Sequence, residues 1–165
     1  MTNLWNQPGI PHKGWRCVAT WDLRFEQGDD YTPEVCKMCG QENLRYVHVM
    51  EHDDYEPRLR VGSVCAGKME GDYANPKHRE TKLANRLGRR GRWLSRNWRT
   101  SRKGNTFLNV EGHNVVVYPD KSSPGWWRYG ITDEDDRTVF STRSYEGEDG
   151  AKLAAFDQLA ALLDW

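Results

Sequence analysis

The sequence predicts an α+β protein: a zinc-knuckle β-hairpin module, a basic helix, and a three-stranded antiparallel sheet with a C-terminal helix. Three observations predict it. Cys36, Cys39 and Cys65 flank a segment whose apolar and polar residues alternate. The stretch from Lys77 to Lys103 holds eleven basic residues against one acid, Glu80. From His113 onward, three short runs rich in β-branched and aromatic residues precede one helical run. The expected division is 1–75 for an N-terminal strand plus the metal-binding hairpin, 76–103 for the basic helix, and 104–165 for the β-β-β-α domain.

Composition favours small stapled modules over one large core. Only 37% of the 165 residues are hydrophobic. The formal net charge is zero, with 24 basic and 24 acidic residues, but the charges are segregated: outside 77–103, thirteen bases face 23 acids. No apolar leader follows Met1 and no run approaches the length of a membrane span. The expected setting is therefore the cytoplasm, without a membrane partner, where the four cysteines stay reduced and metal binding is favoured over disulfides.

Residues 1–13 carry Pro8, Gly9 and Pro11 and read as an irregular arm. From Trp15 to Phe25, Trp15, Cys17, Ala19, Trp21, Leu23 and Phe25 alternate with mostly polar residues, the pattern of a half-buried strand. Cys17 falls on its buried face, foremost as a packed thiol and otherwise as a metal ligand. Gly28 to Pro33 is a loop. Leu44 to His52 and Leu59 to Cys65 read as the two strands of a hairpin turning at Asp53 to Pro57.

Three thiols and an imidazole would give one zinc ion the tetrahedral set of a structural site. A strand rises about 3.3 Å per residue. With a turn near Tyr55, Cys65 comes opposite Arg45, and His52 falls at the far tip, roughly 20 Å away. His48 is nearer, so the expected ligands are Cys36, Cys39, His48 and Cys65, with Cys17 and then His52 as substitutes for His48.

The run Cys-x2-Cys-Gly, Leu-Arg-Tyr-Val-His48-Val-Met and Val-Gly-Ser-Val-Cys65-Ala resembles a small zinc-finger module found in phage, plasmid and other mobile-element proteins, mostly of unassigned function. In similar modules a cysteine can stand at the position matching His48, which implies a ligand there. The resemblance covers Cys36 to Met69. It departs from a standard treble clef in having Lys68 where a further ligand would follow.

A short helix is expected from Ala66 to Tyr73, ended by Gly71 and Pro76. In the next segment Leu83, Leu87, Leu94 and Trp98 fall within about 60° of one another on a helical wheel, and Arg86, Arg89, Arg92, Arg96 and Arg99 occupy the other side. Gly88 and Gly91 each cost a helix about 1 kcal/mol relative to Ala, so a break is foreseeable there. A solvated charged face is the ordinary explanation for such a run. This one lacks the acids that would pair at i, i+4, and planar guanidinium groups suit phosphates. Arg86, Arg89, Arg92, Arg96, Arg99, Arg102 and Lys103 are the expected phosphate contacts, with neutralisation by the chain's own acidic clusters as the competitor.

His113 to Tyr118, Trp126 to Thr132 and Thr138 to Arg143 read as strands, and Ala151 to Leu163 as a helix with Glu148 and Asp149 at its start. This order and the run Trp126-Trp127-Arg128-Tyr129-Gly130 resemble the three-strand-plus-helix DNA-binding domains of the AP2 and integrase-arm type. In those, the exposed sheet face enters the major groove. Alternation exposes either Trp126 and Arg128 or Trp127, Tyr129 and Ile131, and the arginine selects the first set.

These readings imply a zinc-containing nucleic-acid-binding protein, DNA before RNA, with one structural Zn2+. The alternative from another class is a protein-interaction module of a phage or host-defence factor, docking an acidic partner or self-associating. Enzyme motifs are sparse: there is no Walker loop, dinucleotide-binding glycine pattern or nucleophile elbow. A ββα-metal nuclease of the HNH kind is the lesser alternative, since His48 and His52 lie near the knuckle. Asn75 and His78 are poorly placed for its helix.

Overall fold

The computed structural model describes residues 3–165, and the chain divides into two units, Met1–Asn85 and Arg86–Trp165. Its elements make an α+β protein, as expected. In the first unit β1 (Arg16–Asp22), β2 (Tyr46–His52) and β3 (Tyr55–Val61) form an antiparallel sheet in that order. The helices are α1 (Leu23–Gln27), α2 (Ser63–Glu70) and the first part of α3 (Asn75–Gly91).

The N-terminal strand is shorter than the alternation predicts. Asp22 ends it, because its carboxylate caps α1 by accepting from the Arg24 backbone N–H at 3.1 Å. The alternation is also broken within the strand. Cys17 pairs with Met50 and Ala19 with Val49, so Val18 is an extra residue, a bulge. An extra residue moves each later side chain of the strand to the opposite face. Trp21, expected inside, is 41% exposed and Thr20 instead pairs with His48; Phe25, also expected inside, lies beyond the strand in α1 and is 48% exposed.

The core of this unit joins Trp15, Leu23, Leu44, Val47, Met50, Leu59, Val61, Ala66 and Met69 with Cys36, Met38 and Cys65. The N-terminal arm belongs to it. Residues 4–6 form a 3-10 turn, the Leu4 N–H donates to the Met38 carbonyl at 2.8 Å, and Leu4, Trp5 and Ile10 pack on the core.

In the second unit the C-terminal sheet is larger than three strands. Strands β4 (Arg99–Thr100), β5 (Thr106–Val110), β6 (His113–Pro119), β7 (Trp126–Thr132) and β8 (Thr138–Phe140) follow in order, and β9 (Tyr145–Glu146) pairs with one end of β7. The helix α4 (Gly147–Leu163) lies against one face. Leu108, Val110, Val115, Val117, Tyr129 and Ile131 close a core with Ala151, Ala155, Phe156 and Leu159 of α4. β5 is an added strand between β4 and β6: its Thr106 to Val110 pair residue by residue with Val117 to His113 of β6.

The basic segment is not one helix to Lys103. α3 ends at Gly91, turns follow, and Arg99 is already in a strand. Two glycines weaken the last turns, and the interior of the second unit takes the next side chain. Trp93 is buried there, its indole N–H donating to the Lys152 carbonyl at 2.7 Å, its ring edge-on to Phe156 at 5.2 Å and to Trp98 at 5.4 Å. Burying an aromatic side chain stabilises by about 1.5–3 kcal/mol, more than the helical turns it interrupts. The stripe of Leu83, Leu87, Leu94 and Trp98 therefore does not exist as a single face.

Candidate metal centre and candidate nucleic-acid interface

Cys36 and Cys39 belong to a tight turn. The Gly40 N–H donates to the Cys36 carbonyl at 2.8 Å and the Cys36 N–H to the Gln41 carbonyl at 2.8 Å. Gly40 has φ 81°, a left-handed conformation that a side chain would strain. The turn is tied to the hairpin by the Lys37 N–H on the Arg60 carbonyl, 3.0 Å, and by the bidentate Arg60–Glu34 pair. Cys65 arrives from the other side. The helix α2 begins at Ser63, three residues earlier than expected, and this puts Cys65 in its first turn, where the helix dipole favours an anionic sulfur.

The three sulfurs lie within 4.8 Å of one another, and Cys36 and Cys65 are buried. A tetrahedral ion with bonds of about 2.3 Å needs sulfurs about 3.8 Å apart, so the triad fits a thiolate-bound metal. One donor is already poised. The Cys65 thiol, together with the backbone of Gly62, Cys39 and Met38, pulls the Cys36 thiol well below its ordinary value against the opposing effect of burial. Cys65 is pushed up by the anionic Cys36 and by burial. The Trp5 indole N–H points at the Cys65 sulfur at 3.4 Å, a contact the sequence pattern does not signal. His12 is edge-on to Trp5 at 5.3 Å, so the arm also brings an imidazole to this side.

Neither expected histidine joins the cysteines. The His48 Nε2 lies 3.0 Å from Glu80 Oε1 on α3, and its Nδ1 faces Thr20 Oγ1 and Arg79 Nη2, both at 3.4 Å. The hairpin register explains this: His48 stands opposite Val61 and Thr20 in the middle of the sheet, on the face that α3 reaches. His52 is held at the far end, Nε2 on the Lys13 carbonyl and Nδ1 accepting from the Asp54 N–H, each at 3.0 Å. Cys17 is also absent from the triad. Its thiol lies 3.2 Å from the Ala19 carbonyl and 3.7 Å from Thr20 Oγ1.

In the second unit, Arg89, Arg92 and Arg96 line a cleft of about 330 Å3 together with Trp93, Phe156 and Trp165. The Arg89 guanidinium stacks over the Trp165 ring at 4.4 Å and approaches Glu111 at 3.5 Å; Arg96 lies 6.0 Å from the Trp93 ring centre. Arg90, inside the same run, is held by Asp157 at 2.8 Å. Arg86, Arg92, Arg96, Arg99, Arg102 and Lys103 are exposed and form no ion pair among the described residues. Among the described residues intramolecular pairing thus takes Lys77 and Arg79 as well as Arg89 and Arg90, and it leaves these six without an acid.

The face of the large sheet opposite α4 is set by alternation. Phe107, Val116, Gly130 and Phe140 make one cross-strand row, and Tyr118 stands beside Arg128 in the next. Trp126 is 44% exposed and Phe140 61% exposed, whereas Tyr129 and Ile131 are buried, which matches the alternation that selects Trp126 and Arg128. A Cβ at Gly130 would come within 3.2 Å of the Phe140 ring, so the glycine lets that ring lie across the strand. Arg128 is not free: its Nε donates to Asp120 Oδ2 at 3.2 Å. Asp120 is held below the usual carboxylate range by the Ser144 and Ser122 hydroxyls first, with Arg128 adding to them.

Comparison with protein-family models, with curated proteins and with solved structures finds no match to this chain. What stands of the zinc-module resemblance is the three-cysteine group that could hold a metal ion. Among the described residues no helix is long and apolar enough to cross a membrane.

Proposed function

We propose that the protein binds nucleic acid, DNA before RNA, and that one zinc ion on Cys36, Cys39 and Cys65 serves as a structural staple. The observation that carries the binding half is the arginine cleft. Arg92 and Arg96, which no acid pairs among the described residues, line it together with Arg89 and the part-exposed Trp165, which suits a phosphate. Arg86, Arg99, Arg102 and Lys103 extend the cationic surface for backbone phosphates, and Trp126 with Phe107, Tyr118 and Phe140 offers rings on the open sheet face. Zinc is favoured among metals by an all-thiolate donor group in a buried turn. It supplies folding energy to a small unit and no chemistry.

In this reading the chain is a cytoplasmic protein of the phage or mobile-element kind that its cysteine spacing resembles. The test is a mobility-shift titration with duplex DNA, single-stranded DNA and RNA of equal length, beside an Arg92→Ala, Arg96→Ala double variant. Retarded bands that the double variant weakens support the proposal, and equal affinity for the two proteins contradicts it. The second reading, docking of an acidic protein, draws on Glu111 beside Arg89 in the cleft and Asp157 on the neighbouring Arg90, carboxylates that already meet arginines of this run.

A further inference from the structure

Outside the metal site, one cluster of reactive groups has no part in the proposed function. The bulge at Val18 brings Cys17 and Thr20 onto the face of the sheet that carries His48. The Thr20 hydroxyl stands between them, 3.7 Å from the Cys17 sulfur and 3.4 Å from His48 Nδ1. The other ring nitrogen, Nε2, lies 3.0 Å from the Glu80 carboxylate. A carboxylate only accepts hydrogen bonds, so it places the imidazole proton on Nε2 and leaves Nδ1 as an acceptor facing the Thr20 hydroxyl and Arg79 Nη2, each at 3.4 Å. His48 is fully buried and Glu80 nearly so, while Cys17 is half-buried and keeps surface in solvent. Thiol, bridging hydroxyl, imidazole and orienting carboxylate thus follow one another in contact order.

We propose that Cys17, His48 and Glu80 form a nucleophilic thiol site that accepts acyl groups from small carboxylic esters, with Cys17 as the attacking atom, His48 as the base and Glu80 as its positioning residue. The sulfur bonds to the ester carbonyl carbon while its proton passes through the Thr20 hydroxyl to His48 Nδ1. The carbon–oxygen bond to the alcohol then breaks, and the alcohol leaves with that proton. Water, deprotonated by His48, cleaves the thioester to give the carboxylic acid and restore the thiol.

The charges around the ring favour this chemistry. Burial opposes ionisation of Cys17, but His48, Thr20 and the Arg79 charge outweigh it and lower the thiol below its ordinary value. Burial likewise opposes a charged His48, and Cys17 and Glu80 outweigh it, raising the imidazole, while Arg79 works the other way. Both cations near this ring are held by acids: Arg79, whose Nη2 also lies 3.4 Å from His48 Nδ1, is paired with Glu70 on α2 at 3.0 Å, and Lys77 with Glu80 at 3.1 Å.

The probe is p-nitrophenyl acetate with the full-length, zinc-loaded protein, so that the triad cysteines are occupied. The expected result is a release of p-nitrophenol faster than a free cysteine peptide produces, with the acetyl group on the Cys17 peptide in a digest, and loss of both in Cys17→Ala. Iodoacetamide labelling of Cys17 should persist near pH 6 and fall on the order of tenfold in Glu80→Gln. A cysteine that merely fills space would not respond to that carboxylate. Thr20→Val, which removes only the bridging hydroxyl, gives the same reading should Glu80→Gln lose its zinc. Acetylation confined to other residues, a rate equal to the free peptide, or labelling unchanged in the folded variants would overturn the assignment.

Discussion

The His48 imidazole and the Glu80 carboxylate meet at 3.0 Å in the interior of the first unit, one from the central strand β2 and the other from α3. This contact removes His48 from the metal site. It also gives the basic segment's only acid a structural task, because Glu80 ties the start of α3 to the sheet and holds Lys77 as well. Removing one partner of a buried ion pair costs about 3–5 kcal/mol.

Metal content separates the two histidine roles. Replacing His48 by Gln should leave zinc stoichiometry at the wild-type value, whereas Cys36→Ser or Cys65→Ser should lose the metal and with it the fold of the first unit. Metal analysis after exhaustive dialysis, with circular dichroism alongside, measures both.

The pair also sets a pH dependence. His48 is raised in the folded protein, so its contribution is fully present below the unfolded value of about 6.5 and is lost as pH rises through the raised one. Glu80 is lowered: burial opposes this, but His48 and Lys77 outweigh it. Its contribution is present above the unfolded value of about 4.5 and is lost as pH falls through the lowered one. The stability difference between wild type and Glu80→Gln should be widest between those two values and shrink above and below. Urea denaturation at several pH values checks it.

Trp93→Ala should destabilise the second unit by about 3–5 kcal/mol, the usual cost of emptying a buried aromatic site. Chemical denaturation followed by circular dichroism reads the loss. A change of a few tenths of a kcal/mol would place Trp93 on the surface instead.

Elements with strong local patterns were legible: the cysteine turn, the hairpin, the C-terminal helix and the exposure of Trp126 against Tyr129 all follow from spacing and alternation. Residues whose position depends on pairing partners were not. Nothing in the run Trp15 to Phe25 marks Val18 as a bulge, yet the bulge decides that Trp21 faces solvent and that Thr20 meets His48. The wheel of Leu83 to Trp98 assumes an unbroken helix, and Trp93, placed by neither stripe, ends it by entering a core where its α4 neighbours Lys152 and Phe156 lie more than fifty positions away. Trp5 touching Cys65 is likewise a contact across the sequence that no local period encodes. Distance along a strand points His48 to the cysteines, while its partner is the lone acid of a helix whose sequence pattern shows an apolar stripe and a cationic one.

The salt dependence of nucleic-acid affinity tests the functional claim most directly. With duplex DNA, log K should fall linearly with log salt, and the Arg92→Ala, Arg96→Ala, Arg99→Ala triple variant should flatten that slope by about 2–3, near 0.9 for each phosphate that is no longer neutralised. Affinity independent of salt, or a slope identical in the triple variant, would contradict the account.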